Sequence, residues 1–342
     1  MKRPVVLFLS ACIAAACASA ESDAVLDAST PSDANPRDAE PARDSSPPIE
    51  VIDAAASDAA RDVSVDVATE SAKPFVCAAD STFPFALNVA EASGSAEVEL
   101  TAGVREMLIA SDSGHAGAAL LVGIPGGQKR AITLALDAAA SDDIEGVAWH
   151  AGHVYTLTSS GAFRRYSPDG AGGLTRDIDA TAIGASPYAC SDLKAFNCGK
   201  NYEGLCLRSA AAVASGSHRC AGYAASKAEG ALYCLVIDAQ GHLVASTTVP
   251  PISLALAADL LSDCAFGTAG GPAENVLVVA TNVGGGSLTY RVDEATGARV
   301  KLTIATLPNE ESVAIDKDGS LYVFDDNSSS LSAAAKSKCT GW

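Results

Sequence analysis

The phrase Asp143-Ile-Glu-Gly-Val-Ala-Trp-His150 returns near the C-terminus as Glu310-Glu-Ser-Val-Ala-Ile-Asp316. Each copy runs into a turn and then into an apolar strand that ends in small polar residues. Glu203-Gly-Leu-Cys-Leu207 is a third copy, and Ser262-Asp-Cys-Ala-Phe266 a weaker fourth with Ser in place of Glu. The strands that follow are Val154–Ser160, Gly222–Lys227, Val276–Asn282 and Leu321–Asn327. Met107–Asp112 fits the same slot in a unit whose first strand has drifted. Third strands follow at Ala162–Tyr166, Ala231–Asp238 and Ser287–Val292, separated by turns such as Ser167-Pro-Asp-Gly170 and Lys317-Asp-Gly319. Helical periodicity is scarce, and Ile252–Ser262 is the best helix-like interruption.

Short strands in groups of three or four, recurring along the chain, are the pattern of a β-propeller. One such sheet cannot bury both faces alone, so it must pack on its neighbours around a shared axis. The expected fold is an all-β propeller of five to six blades, with Phe83–Leu100 completing or closing the ring. The competing architecture is a β-sandwich with chance likeness between strands.

In a propeller the first strand of each blade lines the channel, so residues at equivalent starts converge. That places Glu145, Glu203 and Glu311 in one ring. Facing carboxylates repel, and a hard cation with oxygen ligands relieves them, Ca²⁺ before Mg²⁺. The competing reading has each Glu bonded to nearby backbone amides or to solvent. The second-strand ends bring Asp112, Ser159, Lys227, Asn282 and Asp326 to the same face as candidate ligand contacts. Lys227 reads first as an ion-pair partner of Glu203.

Other constellations are missing. Asp316-Lys-Asp-Gly-Ser320 lacks the later ligands of a calcium loop and reads as a hairpin turn. There is no Gly-x-Ser-x-Gly elbow, His-Glu-x-x-His helix or phosphate-cradling loop, so no nucleotide or organic cofactor is expected. His115, His150, His153, His218 and His242 fall mostly in expected turns and nominate no catalytic dyad.

Asn201-Tyr-Glu-Gly-Leu-Cys206, Ala224-Ala-Ser-Lys227 and Asp143–Ala148 together resemble the SdiA-regulated family of exported propellers. Ala110-Ser-Asp-Ser-Gly114 is similar to the esterase-like phytase-related propellers. The resemblance covers Met107 to Asn327 and implies the architecture rather than an activity. The cysteine-rich insertion Tyr188–Cys220 and the acidic N-terminal stretch depart from it. Gluconolactonase-like propellers place metal-binding Glu, Asn and Asp at blade starts, an analogy of position that agrees with the glutamate ring.

The N-terminal end speaks to location. Lys2 and Arg3 precede a short apolar run, as in an export signal and too short for a membrane span. Residues 1–16 read as a lipoprotein-type signal peptide with lipidation at Cys17. Cleavage at Cys12, or after Ala20 to give a secreted soluble protein, are the alternatives. With Cys17 carrying the lipid, eight cysteines remain free to pair, an even set in an exported chain, which suits disulfides rather than metal. Cys77 with Cys339 is expected to close the domain, and Cys190 with Cys198 a loop.

Residues 17–74 form a tether rich in Asp, Ala, Ser and Pro. Between Glu21 and Lys73 it holds thirteen acidic residues against four basic ones, half of the chain's net charge of −18. So few apolar groups cannot offset the entropy of ordering, and the tether is expected to be disordered. Its acidity excludes a nucleic-acid partner. Residues 75–342 form the propeller. The functional expectation is a binding module at the bacterial cell envelope, held to the membrane by its lipid, for a protein, glycan or small-molecule ligand. A metal-dependent hydrolase of a phosphoester, lactone or ester, and a structural envelope protein without a site, are the alternatives. Mass spectrometry of the native N-terminus is expected to show a lipid on Cys17; a chain starting at Cys12 or Glu21 corrects this assignment.

Overall fold

The computed structural model describes residues 74–83, 85–124, 127–256, 260–283, 286–326 and 332–342. The signal segment, Cys17, the acidic tether through Lys73 and Asn327 lie outside the described residues.

Two short strands, β1 (Val76–Ala79) and β2 (Phe85–Ala86), precede the first sheet. That sheet runs β3 (Ala92–Thr101), β4 (Val104–Ser111), β5 (Ala118–Gly123) and β6 (Lys129–Thr133). The second is β7 (Ile144–His150), β8 (His153–Thr158), β9 (Ala162–Pro168) and β10 (Leu174–Ala182). The third holds β11 (Tyr202–Leu207), then helix α1 (Ala210–Ala214), β12 (Gly222–Ser226), β13 (Ala231–Ile237) and β14 (Leu243–Ala245), with β15 (Ile252–Ser253) added on β13. The fourth is β16 (Leu261–Phe266), β17 (Leu277–Val283), β18 (Gly286–Val292) and β19 (Arg299–Lys301). The fifth has β20 (Glu310–Ile315), β21 (Ser320–Asp325) and β22 (Ala333–Thr340), and its outer place is taken by β1.

Five antiparallel meanders packed in a ring make a five-bladed β-propeller, at the lower end of the expected range. The drifted first strand is β3, whose Ser93-Gly-Ser-Ala96 is the missing copy of the repeat. The helix-like reading of Ile252–Ser262 is corrected, because strands occupy Ile252–Ser253 and begin again at Leu261. A short apolar run bounded by turn residues does not by itself separate helix from buried strand.

Each blade buries its faces on its neighbours. Five apolar clusters fill the gaps between successive sheets, for example Leu157, Phe163 and Tyr155 of the second against Tyr202, Tyr233 and Leu235 of the third. Inner strands β11 and β16 are buried along their whole length. Outer strand β10, with the sequence LTRDIDATA, alternates half-buried and exposed residues, as a strand with one wet face must.

The inner strands approach closely because glycine permits it. A Cβ on Gly94 would lie 2.8 Å from the Val147 nitrogen, one on Gly146 2.4 Å from the Leu205 nitrogen, and one on Gly204 2.7 Å from the Asp263 Cα. Closure of the ring joins the two ends of the domain. Cys77 of β1 stands opposite Cys339 of β22 and is bonded to it, across 262 residues of sequence. Cys190–Cys198 also pairs as expected, while Cys206–Cys264 ties inner strands β11 and β16, and Cys220–Cys234 pins the entry to β12 against β13.

Gly146→Ala is expected to destabilise the domain by about 1–3 kcal/mol through backbone overpacking. Replacing both Cys77 and Cys339 by Ser is expected to cost on the order of 4–5 kcal/mol from loop-closure entropy. Urea unfolding under non-reducing conditions checks both.

Candidate functional site at the channel mouth

Every inner strand carries a bulge near its start. The register slips between Ala92 and Gly94, Ile144 and Gly146, Tyr202 and Gly204, Leu261 and Asp263, and Glu310 and Ser312. The residue skipped in each case is Ser93, Glu145, Glu203, Ser262 or Glu311. A bulge leaves its extra residue outside the ladder and re-aims the side chain. Glu145, Glu203, Glu311 and Ser93 all line one pocket of about 250 Å³ at the channel mouth.

The second-strand ends meet them. Backbone N–H groups of Asp112, Lys227, Asn282 and Asp326 donate to the carbonyls of Glu91, Asn201, Leu260 and Asn309, at 2.9, 2.9, 2.8 and 2.9 Å. The same bond in four blades confirms that these residues are structural equivalents. Asp112, Lys227 and Asp326 line the pocket directly. Asn282 donates from its side chain to Glu311, and Ser159 donates to Asp143, so these two support the wall from behind.

Sequence reasoning missed Glu91, Asp143, Phe196 and Asn197, all of which line the pocket. Asp143 and Glu91 each stand two residues before a bulge residue, a spacing visible in the repeat once its first copy is recognised. Phe196 and Asn197 belong to the loop closed by Cys190–Cys198. That loop is docked by Ser141 and Ser160, which bond the Leu193 carbonyl, and by Asn197, whose N–H donates to Ser159 Oγ at 3.1 Å. No local pattern announces where a disulfide-closed loop will land.

Among the described residues, oxygens of Asp112, Asp143 and Glu145 all lie within 4.8 Å of one another, close enough to share a cation. Only Glu145 of the expected glutamate trio belongs to this set. Glu203 Oε2 is held by Lys227 Nζ at 2.9 Å, and Glu311 by Asn282. Among the described residues neither is bonded to a backbone amide, as the competing reading expected; each takes a side-chain partner from a second-strand end, and Lys227 pairs with Glu203 as expected. Glu145 accepts from Ser93 Oγ at 2.7 Å through one oxygen.

These carboxylates are strained electrostatically. Burial, then the nearby Asp112, pushes Asp143 up to about 6, against the Ser159 hydroxyl. Burial raises Glu203 to about 7 despite Lys227, with Glu311 and Asp112 adding to the rise. Glu145 is held well above its ordinary value by burial and by Glu203, Asp112 and Asp143. Burial also raises Asp112, Glu311 and Asp326. Burial works to lower Lys227, but the charge and hydrogen bond of Glu203 outweigh it and the lysine stays cationic. Two carboxylates 4.8 Å apart repel by about 3–4 kcal/mol at an effective dielectric of about 20. One lysine cannot neutralise so many.

One histidine reaches the site: His115 Nε2 lies 2.5 Å from Oε2 of the pocket-lining Glu91. His150 corrects its expected turn position: it is buried in β7, with Nδ1 2.7 Å from the Arg208 carbonyl. The Asp316–Ser320 segment is a turn, as expected, with Asp316 Oδ1 accepting the N–H groups of Asp318 and Ser320.

A five-bladed propeller with an acidic, partly lidded channel mouth is what the fold and site define. No family model matches the chain, and neither does any curated protein. Among solved structures it is similar to glutaminyl cyclase from Myxococcus xanthus, at 14% identity over 78% of this chain and 98% of that one, TM-score 0.46. Virginiamycin B lyase from Staphylococcus aureus is similar at 10% identity over 76% and 74%, TM-score 0.37. An auxiliary nutrient binding protein from Bacteroides ovatus is similar at 12% identity over 73% and 60%, TM-score 0.38.

A raised folded pKa means that the folded state holds its proton more tightly than the unfolded chain. Stability is therefore lost as pH climbs from the unfolded value through the folded one. For Glu203 that window runs from 4.5 to about 7. In chelator-treated protein, Glu203→Gln is expected to flatten the fall in unfolding free energy across this window, measured by urea titration at stepped pH.

Proposed function

We propose that this chain is an exported, lipid-anchored propeller whose acidic mouth binds a divalent cation, Ca²⁺ before Mg²⁺, and presents it to an extracytoplasmic ligand. The observation that carries the reading is the triad of Asp112, Asp143 and Glu145 with oxygens within 4.8 Å. Ca²⁺ takes oxygens at about 2.3–2.6 Å, so ligands on opposite sides of the ion stand about 5 Å apart. All the donors are hard oxygens, with no thiolate or imidazole among the three.

The burial of mutually repelling carboxylates also argues against a purely structural protein. Such an arrangement weakens the fold and fits a site whose ligand returns the lost stability. Four disulfides suit an oxidising, exported setting. Among the described residues no helix is long and apolar enough to cross a membrane, and anchorage through Cys17 supplies the membrane contact in this reading. Kinship with the SdiA-regulated and esterase-like phytase-related propellers belongs to the same proposal, supported by the propeller fold and the Glu-Gly repeat.

One observation favours the hydrolase alternative. Asp326 Oδ1, at the pocket wall, is buried without a hydrogen-bond partner, an acceptor that a water or a substrate hydroxyl would satisfy. Turnover of phosphoester, lactone or ester substrates that needs Ca²⁺ and disappears in Glu145→Gln replaces the binding reading with this one.

At a free Ca²⁺ concentration of 100 times Kd the folded state gains about 2.7 kcal/mol. In a domain of this size that raises Tm by about 5–10 °C. Differential scanning calorimetry is expected to show this rise in the wild type and to lose it in Asp143→Asn. A Tm indifferent to Ca²⁺ and Mg²⁺ overturns the proposal.

A further inference from the structure

The acidic mouth is a cup closed at its base. Just past the bulges, Asp263 Oδ2 accepts from Ser312 Oγ and from the Val313 N–H, both at 2.9 Å, and Ser312 Oγ lies 2.6 Å from Ser95 Oγ. This polar layer crosses the axis and separates the mouth from a second cavity, of about 350 Å³, at the far ends of the inner strands. A ligand of the mouth therefore enters from the bulge side, past the loop that Cys190–Cys198 closes.

The wall of this cup accepts far more than it donates. Seven of the twelve residues lining it are carboxylates, and one, Lys227, is a cation. Lys227 Nζ is already engaged, donating to Glu203 Oε2 at 2.9 Å. Glu145 is 6% exposed and takes the Ser93 hydroxyl on Oε2, while among the described residues no hydrogen bond reaches its Oε1. One apolar group stands among these polar ones. Phe196 lines the pocket and is 49% exposed, in a loop held by its disulfide and by the bond from the Asn197 N–H to Ser159 Oγ at 3.1 Å.

We propose that the ligand taken at this mouth is a pyranose sugar, bound to the cation through two adjacent hydroxyls; the inference rests on the cation reading above. Ca²⁺ takes about six to eight oxygens, and the triad offers one from each of its residues, so about half of the coordination sphere or more is left to the ligand and water. A group entering there must give a lone pair to the cation and protons to the surrounding carboxylates. A hydroxyl does both at once. A carboxylate or phosphate ester brings oxygens but adds negative charge where carboxylates already outnumber cations. An ammonium donates protons but has no lone pair for the metal. Two neighbouring ring hydroxyls fill two neighbouring coordination positions, and the C–H face of the sugar lies against Phe196, as an aromatic with one wet side allows. The cup, about 250 Å³, lies below the usual range for drug-sized ligands, which suits a single sugar ring.

The test uses the full-length protein saturated with Ca²⁺ and three probes, the methyl pyranosides of β-D-galactose, α-D-mannose and β-D-glucose. Calorimetry and saturation-transfer NMR are expected to show one-to-one, saturable binding of at least one of them, lost on adding EGTA and in Asp143→Asn. The uronic acid of the glycoside that binds, and tetrahydropyran-2-methanol, which keeps the ring but has a single hydroxyl, are expected to be weaker by about tenfold or more. Phe196→Ala, at an exposed position, is expected to weaken binding about three- to tenfold. No saturable binding of any glycoside at tens of millimolar, in protein whose Tm does rise with Ca²⁺, overturns this inference and leaves the cation in place. A Tm indifferent to Ca²⁺ overturns both. Binding that survives EGTA, equal binding of the uronic acid or of tetrahydropyran-2-methanol, or unchanged binding in Phe196→Ala also overturns the sugar.

Discussion

At Gly94, Gly146 and Gly204 the backbone of one inner strand meets the next sheet at a distance that no side chain permits. At these three positions the sheets draw close around the shared axis. The adjacent bulges then turn Ser93, Glu145, Glu203, Ser262 and Glu311 out of the ladder. Ring and site are therefore one device: the residue that lets the blades meet follows directly on the residue that the meeting exposes. The fourth and fifth blades carry Asp263 and Ser312 where the others have glycine, and these two side chains bond to each other inside the channel.

The electrostatics follow from that packing. Carboxylates brought together by backbone closure cannot all ionise without help, and the molecule answers each differently. Glu203 takes Lys227, Glu311 takes Asn282, and Asp143 takes Ser159. Asp112, Asp143 and Glu145 are left as the carboxylate cluster whose oxygens lie within 4.8 Å of one another, the set on which the proposed cation site rests. The disulfide-closed loop bearing Phe196 and Asn197 completes the pocket and restricts its entrance.

Asp263, Ser312 and Ser95 divide the axis into two compartments of contrasting chemistry. One end is acidic, and the other mixes apolar residues such as Trp149 and Phe266 with charges of both signs, among them Glu97, Arg105 and Lys317. The far cavity is lined by all five inner strands and the acidic mouth by four of them, β3, β7, β11 and β20, since successive residues along a strand pass from the bulge to the far rim.

Much of this was legible in the chain. The recurrence of Glu-Gly-Val-Ala, Glu-Gly-Leu-Cys and Glu-Ser-Val-Ala fixed a rotational repeat, because a side chain's place in a propeller depends on its place in the repeat. The same logic places Asp112, Lys227, Asn282 and Asp326 on one face. The first blade was harder, since Ser93-Gly94 keeps the glycine and loses the glutamate. Blade number, the partners of Cys206 and Cys220, and the landing of Phe196 all depend on contacts between residues distant in sequence. So does the choice of Asp112 and Asp143 over Glu203 and Glu311 as companions of Glu145. A repeat determines which residues face the axis; only the packed ring decides which of them come within reach of one another, because that distance is set by how closely neighbouring backbones can approach.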